Sequence, residues 1–254
     1  MTLLSMFRGA GPAHAPPRRR IYAIGDIHGR VDLLNGLLAK IAADLADGRA
    51  SVAFEGAPII VFIGDYIDRG LESRAVIERL LGLGDEGYEP IFLKGNHEAQ
   101  LLKFLDLPAA GPAWFAIGGG ETLFSYGVAS AKPAAGEREL RFVSQALRAA
   151  MPQTHLNFLA RLRLTAQLGD YLFVHAGLRP GAPLARQSET DMLEIRAPFL
   201  KSRRRWPFVV VHGHTPVDDV TNANGRIGID TGAYATGKLS AVRLQGGDVS
   251  ILTS

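Results

Sequence analysis

The chain has 254 residues, of which 47% are hydrophobic, and a formal net charge of +3. This length and apolar content allow a sizeable core, which favours a folded protein. The absence of cysteine excludes disulfides, thiolate metal sites and a cysteine nucleophile. No stretch approaches the roughly 20 apolar residues that a membrane-spanning helix needs.

Residues 1–20 precede the first predicted strand. A short apolar start is followed by glycine, alanine and proline and then by three arginines at 18–20. These charges lie on the wrong side of the apolar part for an ordinary signal peptide. We therefore predict a flexible N-terminal tail over 1–20, a cytoplasmic protein and no membrane association.

The next part of the chain alternates between strand and helix patterns. Apolar, β-branched runs at 21–24, 59–63 and 91–93 predict strands, and apolar residues recur at helical spacing over 31–45 and 74–83. This β-α-β-α-β order predicts parallel strands joined by right-handed crossovers. A polar signature follows each strand, at the sheet edge where such folds place their sites: GDIHG at 25–29, GDYIDRG at 64–70 and GNHE at 95–98.

These signatures contain residue types that bind metal ions. Asp26 and His28 are two residues apart at a strand end, so their side chains point to the same side, as two ligands of one ion require. Two further histidine blocks follow, VHAG at 174–177 and HGHTP at 212–216. A single block would more often be a turn or a helix cap, but the five together predict a metal site. Mixed oxygen and imidazole ligands suit manganese, iron or zinc better than calcium or magnesium.

The segment from about 98 to 161 is mainly helical in character. The glycine triplet at 118–120 lacks the Gly-Lys-Ser/Thr of a phosphate-binding loop, and we interpret it as a turn or a close helix approach. The pattern leaves open whether residues 106–161 fold over the site and select substrates. The candidate helices are 97–105, 137–149 and 153–160.

Strand patterns return after residue 162. Short apolar runs alternate with turn residues, and an Asn-Gly pair at 224–225 is typical of a hairpin turn. The candidate strands are 162–166, 172–174, 208–211, a pair turning at 224–225, 239–244 and 249–252. The pattern alone indicates a mixed α and β protein.

The five blocks together resemble those of the calcineurin-like metallophosphoesterase superfamily. They are most similar to those of its bacterial serine/threonine phosphoprotein phosphatases, which read GDxHG, GDxxDRG, GNHE, HxG and GHT. The resemblance covers nearly the whole chain from about residue 21 onward. It implies an α/β fold, a four-layer αββα sandwich. Because the candidate ligands span Asp26 to His214, we predict a single domain over 21–254.

The resemblance implies a dinuclear metal centre. It would hold two divalent ions, which we expect to be manganese with iron or zinc as alternatives, and a bridging hydroxide would attack phosphorus directly. Pro216 stands where many superfamily members have a second histidine, which argues against the nuclease and phosphodiesterase branches. We interpret His212 as a supporting or packing residue. The implied ligands are Asp26, His28 and Asp65 for the first metal, and Asp65, Asn96, His175 and His214 for the second.

The resemblance also implies a proton donor and two phosphate-binding arginines. His97 would protonate the leaving group, oriented by Asp68, and an imidazole suits this task near neutral pH. Arg69 would present a planar fork to phosphate oxygens. Arg196 resembles the second phosphate arginine through the looser motif at 194–199.

Two basic runs, at 18–20 and 201–205, remain outside these blocks. A solvated charge run beside a strand is the interpretation we prefer. The alternative is an electrostatic surface that attracts acidic phosphorylated substrates or nucleic acid.

Our leading hypothesis is a metal-dependent phosphomonoesterase that hydrolyses phosphoserine and phosphothreonine in phosphoproteins or phosphopeptides. The alternative is a hydrolase of dinucleoside polyphosphates such as diadenosine tetraphosphate. That group tends to read GNHD and GHW where this chain has Glu98 and Thr215, which favours the phosphoprotein. A third hypothesis is a non-catalytic metal- or nucleic-acid-binding module. The intact His97 and Asp68 weigh against it, and we do not expect a nucleic-acid partner.

Overall fold

The structure is a computed structural model that describes residues 13–47, 54–130 and 135–254. The strands are β1 (Arg20–Ile24), β2 (Ile59–Phe62), β3 (Glu89–Phe92), β4 (Thr165–Leu168), β5 (Tyr171–Val174), β6 (Val209–His212), β7 (Thr221–Ala223), β8 (Arg226–Gly228), β9 (Ser240–Gln245) and β10 (Asp248–Thr253). The helices are α1 (Val31–Ala46), α2 (Ser73–Leu81), α3 (Asn96–Asp106), α4 (Gly111–Phe115), α5 (Gly119–Ser125), α6 (Glu137–Ala150), α7 (Gln153–Ala160), α8 (Glu189–Glu194), α9 (Ala197–Leu200) and α10 (Ala233–Thr236).

The strands form two five-stranded sheets, and each sheet contains three neighbouring parallel strands. The first has the order β10-β9-β1-β2-β3, with β1, β2 and β3 parallel and β9 antiparallel to β1. The second has the order β4-β5-β6-β8-β7, with β5, β6 and β8 parallel. Parallel strands end at a common edge, so each sheet brings three loops together there.

Alternate side chains of the strands separate the layers of the fold. In β1, Tyr22 and Ile24 pack with the helices outside the first sheet. The intervening Ile21 shares a buried cluster with Phe173 and Val211 of the second sheet. Because side chains alternate between the two faces of a strand, this contact places the sheets face to face.

Short helices complete the sandwich on its other side. Leu172 and Val210 point away from the first sheet and pack with Met192 of α8 and Phe199 of α9. The predicted α/β fold, with two mixed sheets flanked by helices, is confirmed.

The long helices lie where the sequence pattern predicted them, whereas the short helices were not predicted. Helices α3, α6 and α7 lie within one residue of their predicted ends. Helices α4, α5, α8, α9 and α10 have four to seven residues and were not predicted, because two turns or fewer carry too little periodicity to recognise. The strand predicted from 162 begins at Thr165.

The ordered fold begins before the predicted boundary at residue 21. Ala15 is buried, and its backbone N–H donates to the carbonyl of Gly246 over 2.8 Å. The N–H of His14 donates to the carboxylate of Asp170 over 2.9 Å. The predicted tail therefore does not extend to residue 20, and residues 1–12 lie outside the described residues. No described helix has the length and apolar character to cross a membrane.

The basic run at 18–20 is paired within the fold. Arg18 forms an ion pair with Glu55, and Arg19 forms one with Glu89. The guanidinium of Arg20 lies 4.2 Å from the ring centre of Phe54 and 3.8 Å from the carboxylate of Asp44. The run is thus paired with carboxylates at the edge of the first sheet, rather than being a solvated charge run.

Candidate active site

Loops from both sheets meet at one edge of the sandwich. His175 follows β5, and its Nδ1–H donates to the carbonyl of Ile63 after β2, over 2.9 Å. The backbone N–H of His214 after β6 donates to Oδ2 of Asp26 after β1, over 3.0 Å. A Cβ at Gly213 would collide with Oδ1 of Asp26, so glycine permits this approach. The two sheets therefore contribute to one site.

Asp65 lies at the centre of this site. Its Oδ2 is 3.5 Å from Nε2 of His28, 3.4 Å from Nε2 of His175 and 3.8 Å from Nε2 of His97. Its Oδ1 accepts the backbone N–H of His97 over 3.2 Å. Two groups of potential ligand atoms share this carboxylate, His28–Asp65–His97 and Asp65–His175–His214.

Asp26 and Asn96 lie beside these two groups. Oδ1 of Asp26 is buried and has no hydrogen-bond partner. Oδ1 of Asn96 is 3.0 Å from Nε2 of His175 and 2.9 Å from Nδ1 of His214. The structure thus brings together all six ligands that the resemblance implies.

Backbone contacts orient the histidine rings. The Nδ1–H of His28 donates to the carbonyl of Ile67 over 2.9 Å, which directs Nε2 toward Asp65. Burial lowers the pKa of His28 to about 3 and that of His214 to about 3. These two imidazoles are therefore neutral near neutral pH, the state in which a ring nitrogen binds a metal ion.

The site concentrates negative charge away from solvent. Asp26, Asp65, Asp68 and Asp230 are at most 4% exposed, and Glu98 is fully buried. Burial, and then the charge of Asp230, raises the pKa of Asp26 well above its usual value. Buried carboxylates need positive partners. The orphaned oxygen of Asp26, the charge excess and the mixed oxygen and nitrogen donors all fit divalent metal ions.

Asp65 and its histidine neighbours shift each other's pKa values. Burial alone would raise the pKa of Asp65, but His175, His97 and His28 lower it well below its usual value. Burial lowers the pKa of His175, yet the charge of Asp65 raises it to about 10. His175 must therefore lose a proton to bind a metal ion, so we expect acid to compete with the metal.

His97 and Asp68 form a buried dyad next to Asp65. Nδ1 of His97 lies 2.7 Å from Oδ2 of Asp68. Burial lowers the pKa of His97, but the charges of Asp65 and Asp68 outweigh it, and the net shift is upward. This shift stabilises the imidazolium, the form that a proton donor requires.

The helical segment supports this dyad. The Nε1–H of Trp114 in α4 donates to Oδ2 of Asp68 over 2.9 Å, and the hydroxyl of Thr122 in α5 donates to Oδ1 over 2.6 Å. The carbonyl of Gly118 accepts the backbone N–H of Arg69 over 3.2 Å. These contacts were not predicted, because no local pattern links α4 and α5 to the signature at 64–70.

Both candidate phosphate arginines lie at the site. The guanidinium of Arg69 is 4.7 Å from the ring centre of Tyr234, which is 41% exposed. Nη1 of the exposed Arg196 donates to the hydroxyl of Thr215 over 3.3 Å. Two cations thus flank the metal-binding groups, where an incoming phosphate dianion would need them.

Glu98 holds the loop that carries Asp65. Its Oε2 accepts the backbone N–H of Asp65 over 3.0 Å and that of Gly95 over 2.9 Å. Its Oε1 accepts those of Tyr66 over 2.8 Å and Ile67 over 3.4 Å. Burial raises the pKa of Glu98 to about 7. Glu98 therefore acts on loop geometry, and its identity carries no direct information on the substrate.

Several site residues have left-handed backbone conformations. Positive φ angles occur at His28 (47°), Asp65 (51°), Asp68 (71°), Arg69 (68°) and His214 (62°). Among the described residues, only two other non-glycine positions share this property, Arg18 and Asn224. Such conformations cost about 1 to 3 kcal/mol each and cluster at functional sites. This backbone strain supports the interpretation that these loops form a functional site.

Asp230 and His212 are two further buried polar residues next to the site. Asp230 was not predicted, although it lies two residues after the end of β8. Its Oδ1 accepts the backbone N–H of Gly232 over 2.9 Å. His212 belongs to neither group of metal-binding atoms in the described residues. Its ring centre lies 5.0 Å from that of Phe199, and burial lowers its pKa to about 4. The packing interpretation of His212 agrees with this position.

We predict that Asp65→Asn lowers the metal content of the purified protein by far more than half. The carboxylate is common to both groups of ligand atoms, so its neutralisation weakens both sites. Elemental analysis of protein loaded with manganese measures this. Asp47→Asn, at the exposed end of α1, serves as the control and should retain the wild-type content. Unchanged content in Asp65→Asn would exclude a shared ligand.

Comparisons with known proteins agree with this geometry. The chain is 26% identical over 236 residues to the Bis(5'-nucleosyl)-tetraphosphatase PrpE [asymmetrical] of Bacillus subtilis, covering 87% of this chain and 88% of that protein. It is 26% identical over 238 residues to Serine/threonine-protein phosphatase 2 of Escherichia coli, covering 89% and 94%.

Solved structures show the same fold. The crystal structure of a candidate diadenosine tetraphosphatase matches with a TM-score of 0.63 and 22% identity, covering 96% of this chain and 99% of that one. That of a cold-active protein-tyrosine phosphatase of a psychrophile Shewanella sp. matches with a TM-score of 0.59 and 18% identity, covering 99% and 86%. The family model for the calcineurin-like phosphoesterase matches residues 19–250. The chain therefore belongs to the calcineurin-like phosphoesterase family.

Proposed function

We propose that this protein is a phosphomonoesterase that hydrolyses phosphoserine and phosphothreonine in proteins, using two divalent metal ions, preferably manganese. The observation that carries the proposal is the buried His97–Asp68 dyad beside Asp65. The hydrolysis of a serine or threonine phosphate releases an alkoxide, a poor leaving group that needs a proton. A nucleoside polyphosphate leaves as a stable anion and needs none.

The other site residues would bind the metal ions, bind the phosphate and orient the proton donor. The implied ligands are Asp26, His28, Asp65, Asn96, His175 and His214. When bound, the metal ions would activate water and neutralise phosphoryl charge. Arg69 and Arg196 would bind the peripheral phosphate oxygens, and Asp68 would hold the ring of His97 so that Nε2 faces the leaving oxygen.

A relative supports the same substrate class. The matched protein of Escherichia coli is named a serine/threonine-protein phosphatase, and the match covers 94% of it. Because the match covers most of both chains, hydrolysis of a phosphoprotein or phosphopeptide is the activity to assay first.

Hydrolysis of dinucleoside polyphosphates is the second candidate function. The side chain of Tyr234 is 41% exposed, and its ring centre lies 5.4 Å from that of His28. An exposed aromatic ring beside Arg69 can stack with a nucleobase. The relatives matched at 25 to 27% identity include proteins named Bis(5'-nucleosyl)-tetraphosphatase PrpE, and this name describes the second activity.

We predict that the manganese-loaded protein has a higher kcat/KM for a phosphothreonine peptide than for diadenosine tetraphosphate. Steady-state assays at one metal concentration measure both values. Replacement of Tyr234 by alanine should lower the dinucleotide value more than the peptide value. A clear preference for the dinucleotide would reverse the order of the two candidates, and turnover of neither would favour the non-catalytic module.

We predict that the effect of His97→Ala depends on the leaving group. Without a proton donor, kcat for a phosphothreonine peptide should fall about 10²- to 10³-fold. For p-nitrophenyl phosphate, whose leaving group is a stable anion, the loss should stay below about tenfold. Metal content measured in parallel is the control, because a loss of metal would lower both activities equally. Equal losses with full metal content would contradict the proton-donor role.

We predict that Glu98→Asp lowers stability and activity without changing the choice of substrate. The shorter side chain cannot accept all four backbone N–H groups, so the loop with Asp65 loses support. Leaving buried donors unpaired costs about 1 to 3 kcal/mol. Chemical denaturation measures the free energy of unfolding, and the two substrate assays measure selectivity. A switch in substrate preference would show that Glu98 does select the substrate.

A further inference from the structure

The basic run at 201–205 differs from the run at 18–20 in having no acidic partners. Lys201, Arg203, Arg204 and Arg205 are all exposed. Within the part of the chain that the structure describes, none of the four forms an ion pair, whereas Arg18, Arg19 and Arg20 all do. The basic surface, defined here as Arg196 and these four residues, is therefore free to attract an anionic partner.

A buried arginine holds the basic surface in a defined shape. Arg226 is 8% exposed, and its guanidinium donates to the carbonyls of Phe199 (3.1 Å), Leu200 (2.9 Å) and Ser202 (2.9 Å). It also lies 5.3 Å from the ring centre of Phe199. No carboxylate among the described residues pairs with it. The buried charge of Arg226 and the four exposed charges of the run repel one another. Their clustering therefore costs the fold electrostatic energy, which indicates a role other than stabilising the fold.

Helix α9 connects this surface to the active site. Arg196 precedes α9 and contacts Thr215, the residue after His214. The four residues of α9 rise about 6 Å, so Lys201 lies about 8 Å from Arg196 along the helix axis. Beyond it, Nη1 of Arg204 would lie 3.8 Å from a Cβ at Gly181, so this side chain extends over the loop that follows His175.

We propose that the basic surface binds an acidic segment of the phosphoprotein substrate, near the phosphorylated side chain. The proposal rests on the proposed function and specifies its substrate class. An extended peptide advances about 3.3 Å per residue. Lys201 lies about 8 Å from Arg196, and Arg203, Arg204 and Arg205 follow it, so the surface would contact residues about three or more positions from the phosphorylated one.

A peptide fits this surface better than a nucleic acid does. Single-stranded nucleic acids need aromatic side chains on which bases stack. The two aromatic residues of this loop, Trp206 and Phe208, are partly buried against the apolar cluster that contains Phe199, and the ring centres of Trp206 and Phe199 are 5.4 Å apart. What remains exposed is a set of separate cations, which match the carboxylates of glutamate and aspartate.

The test compares two triple variants in the manganese-loaded protein. The first is Arg203→Gln/Arg204→Gln/Arg205→Gln. The control is Arg138→Gln/Arg141→Gln/Arg148→Gln on α6, which lowers the net charge by the same three units, and none of its residues contacts the site. The probe is a fluorescent, unphosphorylated peptide with four glutamates, measured by anisotropy against a matched peptide with four glutamines.

We expect wild-type protein to prefer the glutamate peptide at low salt, and the first variant to lose about five- to tenfold in affinity. The control should change less than twofold. The first variant should also raise KM for a phosphothreonine peptide with glutamates three to six positions away, while its kcat/KM for p-nitrophenyl phosphate stays at the wild-type value.

Three outcomes would overturn the proposal. These are equal losses in both triple variants, no preference for glutamate over glutamine, and tighter arginine-dependent binding of an RNA of the same length. The binding assay needs no turnover. If glutamate binding depends on the three arginines but phosphothreonine peptides are not hydrolysed, the proposed function fails while acidic-peptide binding at this surface stands.

Discussion

The burial of Asp65 among three imidazoles is the constraint on which the rest of this structure depends. A carboxylate removed from water is stable only with positive charge close to it. His28, His97 and His175 all direct Nε2 toward the same oxygen, at 3.4 to 3.8 Å. With the buried carboxyl groups of Asp26 and Asp230 nearby, the site offers closely spaced oxygen and nitrogen donors that fit divalent cations.

Such a cluster can form only where many backbone segments converge. The loops after β1, β2 and β3 supply residues from one sheet, and those after β5, β6 and β8 supply residues from the other. Close backbone approach requires glycine at positions such as Gly213. The left-handed conformations of Asp65 and His214 persist because hydrogen bonds from neighbouring loops hold them.

The site has an inner and an outer part with different physical roles. Inside, Glu98, Trp114 and Thr122 support the loops and the dyad through buried hydrogen bonds. Outside, Tyr234 and Arg196 are exposed beside the metal-binding groups, and the basic surface extends from Arg196. Chemistry common to phosphoesterases belongs to the inner part. A side chain in the exposed outer part can change without disturbing the buried charges of the inner part.

The residue pattern alone indicated a mixed α and β protein, and the resemblance carried by the five blocks implied the layered fold and the candidate ligands. Asp26, Asp65, Asn96, His175 and His214 each follow an apolar strand pattern, and parallel strands place such residues at one edge. Long helices were also predictable, because α3, α6 and α7 contain enough turns for an apolar face to recur. The same strand-end signal was present at Asp230 and was missed.

The residues that support the site from distant parts of the chain became visible in the folded structure alone. Asp68 meets Trp114 and Thr122 across 46 and 54 residues of sequence, through short helices that have too few turns to give a periodic signal. The tertiary structure also separated the two basic runs, since Arg18, Arg19 and Arg20 pair with carboxylates, whereas 201–205 pair with none among the described residues. Local residue patterns report the conformation of a segment, whereas partners in space depend on how all segments pack.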